Sequence, residues 1–93
     1  MSTRLNHSPA LVTGASKGIG RAICVELAKA GHRVIINYRS DDAGAAETLA
    51  LVKKAGSDGR ILRFDVADHP AAGEAVNQII EQEGTVDILV NNA

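Results

Sequence analysis

Residues 13–20, TGASKGIG, have the types and spacing that could do the clearest chemistry in this chain. The glycines Gly14, Gly18 and Gly20 follow a short apolar run and open an amphipathic stretch. Gly14 lets the backbone turn sharply off a strand, Gly18 leaves no Cβ where an anion approaches, and Gly20 lets the following helix pack closely. Amide N–H groups at a helix start have no intrahelical partner and lie at the positive end of the helix dipole, so the turn suits phosphate. Standing alone, the triplet would be an ordinary strand-to-helix turn. Set inside a strand–helix–strand unit, its GxxxGxG spacing predicts a dinucleotide cradle, and the missing GKS or GKT excludes a Walker phosphate loop.

Two further segments bear on what the cradle holds. A carboxylate at the end of the second strand would accept hydrogen bonds from the adenosine ribose and repel a 2′-phosphate. This sequence reads IINYRSD there, with Tyr38 at the expected acidic position and Arg39 next. Arg39 offers a charged fork suited to phosphate, and Lys17 adds a cation from the glycine loop, so NADPH or NADP is expected over NAD. Asp41 and Asp42 lower the local positive potential. In LRFDVAD, Asp65 can accept from the adenine amino group and the Val66 N–H can donate to a ring nitrogen, while Asp68 is better placed to cap the next helix.

The elements that must position these residues alternate. Apolar, β-branched runs at 10–12, 33–38, 60–66 and 86–91 enclose helical stretches at 18–30, 42–55 and 70–82. On the first helix Ile19, Ala22, Ile23, Leu27 and Ala30 are the expected inner face, with Arg21, Glu26 and Lys29 left to water. On the third the expected inner face is Ala72, Val76, Ile79 and Ile80. Strands joined by helices must run parallel, which predicts an α/β fold: a Rossmann-type doubly wound parallel sheet, here an incomplete half with strand order 3-2-1-4. The switch point between strands one and four is the expected crevice. Residues 1–9 read as a flexible lead-in, and 10–93 as the N-terminal part of a dinucleotide-binding domain.

Composition narrows the classes. A chain of 93 residues buries roughly 65% of its unfolded surface. At 45% hydrophobic, 23% charged and 2% aromatic it is a globular chain whose core must be built from Val, Ile, Leu and Ala. A net charge of −1 with interspersed signs, without a broad basic surface or an aromatic-basic pattern for stacking bases, argues against nucleic acid as a partner. No apolar run approaches the ~20 residues of a membrane span. MSTRLNHSPA lacks a secretory apolar region, and the reading is cytoplasmic. Cys24, the single cysteine, reads as a packed helix residue, and His7, His32 and His69 lack metal-ligand spacing.

The chain resembles the short-chain dehydrogenase/reductase family over nearly its whole length, through TGASKGIGRAI at 13–23, FDVAD at 64–68 and VDILVNNA at 86–93. Within that family the wording is most similar to the 3-oxoacyl-[acyl-carrier-protein] reductases. The resemblance implies cofactor contacts at Gly14, Ser16, Lys17, Gly18, Ile19, Gly20, Arg39, Asp65, Val66, Asn91, Asn92 and Ala93, with Asn91 and Asn92 also bracing the sheet. It implies reduction of a 3-oxoacyl thioester by hydride from NADPH while a tyrosine donates a proton. The family's catalytic Ser, Tyr and Lys correspond to positions past 93, so no catalytic residue is assigned and the 93-residue chain is expected to be inactive by itself. The complete protein is expected to be a homo-oligomer, a dimer or tetramer, acting on a small-molecule or carrier-protein-linked substrate. Another ketone or alcohol, a noncatalytic NADP-binding module, or a truncated remnant are the alternatives.

Overall fold

A parallel strand pair needs a crossover, and this chain supplies one after each of its first three strands. The structure, a computed structural model, describes residues 8–92. Expectations for 1–7, including most of the lead-in and His7, and for Ala93 lie outside the described residues. The element order is β1 (Pro9–Val12), α1 (Gly18–Lys29), β2 (Arg33–Tyr38), α2 (Asp42–Lys54), β3 (Gly59–Arg63), α3 (His69–Glu83) and β4 (Ile88–Val90). Pro9 belongs to β1 rather than to a lead-in: it opens the strand, where its missing N–H is tolerated, and its carbonyl accepts from Asp87 N–H at 3.1 Å.

The four strands form one parallel sheet in the order β3-β2-β1-β4, as the alternation predicts. Strand alternation sends Val12, Val34, Ile36 and Tyr38 to one face, where they meet Cys24 and Ala28 of α1 and Ala45 and Val52 of α2. Leu11 and Ile35 face the other way, against Ile79 of α3. Thus α1 and α2 cover one side and α3 the other. Burying each of the large aliphatic side chains here, Ile35, Ile36 and Ile79 among them, stabilises the fold by about 1.5–3 kcal/mol.

Two helices present faces rotated from those expected. In α1 the contact line is Gly20, Cys24 and Ala28, spaced by four; Ile23 and Leu27 flank it, Ala22 and Ala30 are exposed, and Ile19 is 73% exposed. Small residues on the line let the helix axis approach the sheet, and the larger side chains straddle it. In α3 the buried residues are Ala75 and Ile79, while Ile80 is 46% exposed beside a sheet face without cover among the described residues. The end of α3 is held by charge instead. The Glu83 carboxylate, its side chain 9% exposed, takes Arg33 Nε at 2.7 Å and Arg60 Nε at 3.6 Å, and the hydrogen bond to Glu83 raises the Arg33 pKa.

The strand ends are shorter than the apolar runs. β3 stops at Arg63; Phe64 N–H still bonds the Tyr38 carbonyl at 3.0 Å, and Asp65 and Val66 lie beyond the strand in a loop. β4 keeps only Ile88, Leu89 and Val90 in register with Ala10, Leu11 and Val12, because Asn91 and Asn92 turn toward the glycine loop.

Candidate functional site

Everything at the carboxyl edge of the sheet converges on residues 13–20. Gly14, with φ 60°, swings the chain off β1, and its N–H donates to Asn37 Oδ1 at 3.2 Å while Ala15 N–H donates to the Asn37 carbonyl at 2.9 Å. Three successive carbonyls are then claimed by protein donors. Asn92 Nδ2 takes that of Gly14 at 3.1 Å, Thr48 Oγ1 that of Ala15 at 2.8 Å, and Arg21 Nη2 that of Ser16 at 2.7 Å. With the acceptors turned inward, the loop is left with donors to offer.

Those donors are at the start of α1. Its ladder begins with Arg21 N–H on the Lys17 carbonyl at 3.3 Å, so the amides of Gly18, Ile19 and Gly20 precede the first intrahelical bond. Asp41 caps α2 through Gly44 N–H at 2.9 Å and Asp68 caps α3 through Ala71 N–H at 3.2 Å, whereas α1 has Lys17 as its cap residue, no side-chain cap bond and no acid in its first turn. This helix alone of the three keeps its positive end uncompensated. Gly18 has φ 62°, a left-handed conformation, and a Cβ there would meet nothing within 4 Å, so the approach is open. At Gly20 a Cβ would collide with the Gly14 carbonyl and come within 2.7 Å of Asn92 Nδ2. That glycine therefore lets the helix start pack against the loop and Asn92 more than against the sheet.

Beside the loop is a cavity of about 340 Å³ lined by Gly14, Asn37, Arg39, Phe64, Asp65, Val66 and Ala67. The fold thus brings together four of the residues singled out from the sequence, Gly14, Arg39, Asp65 and Val66. One Asp65 carboxylate oxygen accepts from Ala67 N–H at 2.9 Å and so shapes the cavity wall. Lys17 and Ile19 are exposed at the helix start, and Ser16 is half-buried. Asn91 and Asn92 knit β4 to β1: Thr13 Oγ1 lies 3.3 Å from Asn91 Oδ1 and accepts from Asn92 N–H at 2.9 Å. Ala93 lies outside the described residues.

Three supporting residues escaped the sequence reading. Asn37 is 2% exposed and joins three strands' ends, with Nδ2 donating to the Phe64 carbonyl at 3.0 Å. Its signal was an amide inside an otherwise apolar buried strand, which must be satisfied. Thr48 sits fully buried in an Ala- and Leu-rich helix. Arg21, expected to face water, is the larger correction: it bonds Ser16, Gly44, Glu47 and Thr48, because the turn of α1 carries it toward α2.

The acids near the second strand are occupied. Asp41 caps α2, and Asp42 accepts from the Tyr38 hydroxyl, which raises the tyrosine pKa. Cys24, fully buried, has its thiol pushed up to about 12 by desolvation, the behaviour of a packing residue and not of a nucleophile. Among the described residues no His, Cys, Asp and Glu group could hold a metal, and no helix is long and apolar enough to cross a membrane.

The family model for short chain dehydrogenase matches residues 8–93. The chain belongs to this family. It is similar to the short-chain dehydrogenase/reductase homolog YusS of Bacillus subtilis (strain 168), 43% identical over 84 residues that make up 90% of this chain and 77% of that protein. It is similar also to the 3-oxoacyl-[acyl-carrier-protein] reductase FabG of Staphylococcus aureus (strain Mu50 / ATCC 700699), 39% identical over 84 residues, 90% of this chain and 34% of FabG. The crystal structure of an NADH-dependent reductase, A1-R′, complexed with NAD superposes on all of this chain and 38% of that one, with a TM-score of 0.87 at 34% identity. The chain therefore spans about a third of the length of FabG and of the reductase. Membership of this oxidoreductase family agrees with the parallel sheet in the order β3-β2-β1-β4.

Proposed function

We propose that this chain supplies the NADP(H)-binding half of a cytoplasmic short-chain ketoreductase, and that the whole protein reduces a 3-oxoacyl thioester carried on acyl carrier protein. The observation that carries the cofactor reading is the uncapped start of α1, with the carbonyls of Gly14, Ala15 and Ser16 pinned away from it and an adenosine-sized cavity alongside. The residues fit a dinucleotide. In this reading the N–H groups of Gly18, Ile19 and Gly20 take the pyrophosphate, Asp65 and Val66 border the adenine, and Lys17 and Arg39 flank the ribose. The bound nicotinamide would supply hydride chemistry to the whole protein.

The preference for NADP(H) is supported by what the acids do. Asp41 and Asp42 are engaged with Gly44 N–H and Tyr38, so neither is committed to a ribose hydroxyl, and no carboxylate ends β2. Among the described residues neither Lys17 nor Arg39 has an ion pair. The acyl thioester is supported by the likeness to FabG. Titrating the chain with NADP⁺ and NAD⁺ tests the cofactor reading: tighter NADP⁺ binding is expected, and equal or reversed affinity overturns it. Assaying the complete protein with NADPH and 3-oxoacyl carrier protein, against simple ketones, tests the substrate.

Two observations favour other readings of the cofactor and of the activity. The likeness to a reductase holding NAD favours NAD, and the same titration decides it. The high share of YusS that this chain matches favours a nucleotide-binding module without catalysis, which predicts binding but no turnover in the complete protein.

A further inference from the structure

Arg21 is on the helix that follows the glycine loop, yet three of its four acceptors are on α2. Its Nη2 donates to the Ser16 carbonyl at 2.7 Å and the Gly44 carbonyl at 3.1 Å, and its Nε donates to Thr48 Oγ1 at 3.0 Å. Glu47 Oε1, on the exposed side, lies 3.1 Å from Nη2. The planar guanidinium makes these bonds in a fixed geometry that a flexible ammonium would not reproduce. Thr48 extends the joint by donating to the Ala15 carbonyl.

The first turn of α2 is pressed against the same loop. A Cβ on Gly44 would collide with the Asp41 carboxylate and come to 2.7 Å from the Ser16 carbonyl, so the two elements touch with no side chain between them. Lys17 follows Ser16 directly, and Arg39 precedes α2 by three residues. Two cations on separate loops are thereby referred to a single joint.

We infer that Arg21 is a positioning residue for nucleotide specificity: by clamping the β1–α1 loop to the start of α2, it sets the spacing of Lys17 and Arg39 that lets a 2′-phosphate bridge them. The inference rests on the proposed NADP(H) site. It places Arg21 outside contact with the ligand, acting through Ser16 and Gly44. Losing the clamp should weaken NADP⁺ more than NAD⁺, because NAD⁺ relies on the Gly18 to Gly20 amides and has no 2′-phosphate to bridge the cations.

The test is calorimetric titration of the 93-residue chain and its variants with NADP⁺ and NAD⁺. For Arg21→Ala the NADP⁺ to NAD⁺ preference is expected to fall about tenfold, the scale on which groups acting through another residue alter affinity. Arg21→Lys should fall between it and the native chain, Gly44→Ala should follow Arg21→Ala, and Glu47→Ala, which removes only the exposed partner, should keep the native ratio. An unchanged ratio in Arg21→Ala or Gly44→Ala overturns the inference while leaving the cofactor reading intact. A native chain without NADP⁺ preference overturns the cofactor reading and the specificity role with it. Should Arg21→Ala fail to fold, Arg21→Lys and Gly44→Ala decide. Amide hydrogen exchange without nucleotide gives an independent reading: exchange at Ala15, whose N–H is held by the Asn37 carbonyl one residue before the clamped Ser16, should quicken in Arg21→Lys, and native-like protection there overturns the clamp.

Discussion

Asn37 shows how one amide can serve a site without touching a ligand. Its Oδ1 holds Gly14 N–H and its Nδ2 holds the Phe64 carbonyl, so it spaces the glycine loop from the cavity wall. Asn37→Ala leaves the half-buried Gly14 N–H and Phe64 carbonyl without their partner, and a loss of about 1–3 kcal/mol is expected from urea unfolding. Asn37→Asp, which keeps an acceptor for Gly14, should lose less of the loop's order, read as hydrogen exchange at Gly14. Cys24 makes a pH-dependent prediction. Its thiol is near 9.0 in the unfolded chain and about 12 when folded, so the native state keeps a proton that the unfolded chain releases between those values. Stability from this group is therefore complete below about pH 9 and falls by up to about 1.4 kcal/mol per pH unit above it. Cys24→Ala should remove that slope from the difference between unfolding curves at roughly pH 8 and 10.

Among elements, the three helix starts divide the labour. Asp41 and Asp68 satisfy the first turns of α2 and α3, and alanine at either should destabilise the protein by about 1 kcal/mol in a thermal or urea melt. Lys17 makes no such bond at α1. Lys17→Ala is expected to leave stability within about 0.5 kcal/mol of native and yet weaken NADP⁺ binding, a separation of effects that titration and melting read together. A comparable loss of stability in Lys17→Ala would mean that this helix start is maintained by the protein and not kept for an anion.

For the molecule as a whole, the sheet is covered unevenly. Leu89 is 65% exposed on β4, beside an apolar groove of about 350 Å³ formed with Leu11, Val76, Ile80 and Val86. An exposed parallel edge with apolar flanks is a template for association, so the 93-residue chain should self-associate at high concentration, and Leu89→Lys should shift it toward monomer in light scattering after gel filtration. A native chain that stays monomeric would contradict this. The sequence by itself determined the α/β alternation, the 3-2-1-4 order and the glycine turn, because apolar period, glycine placement and right-handed crossovers are local or topological properties. It also made Gly14, Arg39, Asp65 and Val66 legible as one site, since strand ends in this order must share an edge. Only the tertiary structure decided the helix faces, where small residues at 20, 24 and 28 formed the contact line and left Ile19 outside. Only it showed Arg21 as a joint and Asn37 as a brace. A long polar side chain has the same sequence signature whether it ends in water or on a carbonyl, and what it meets is set by an element 20 or more residues away.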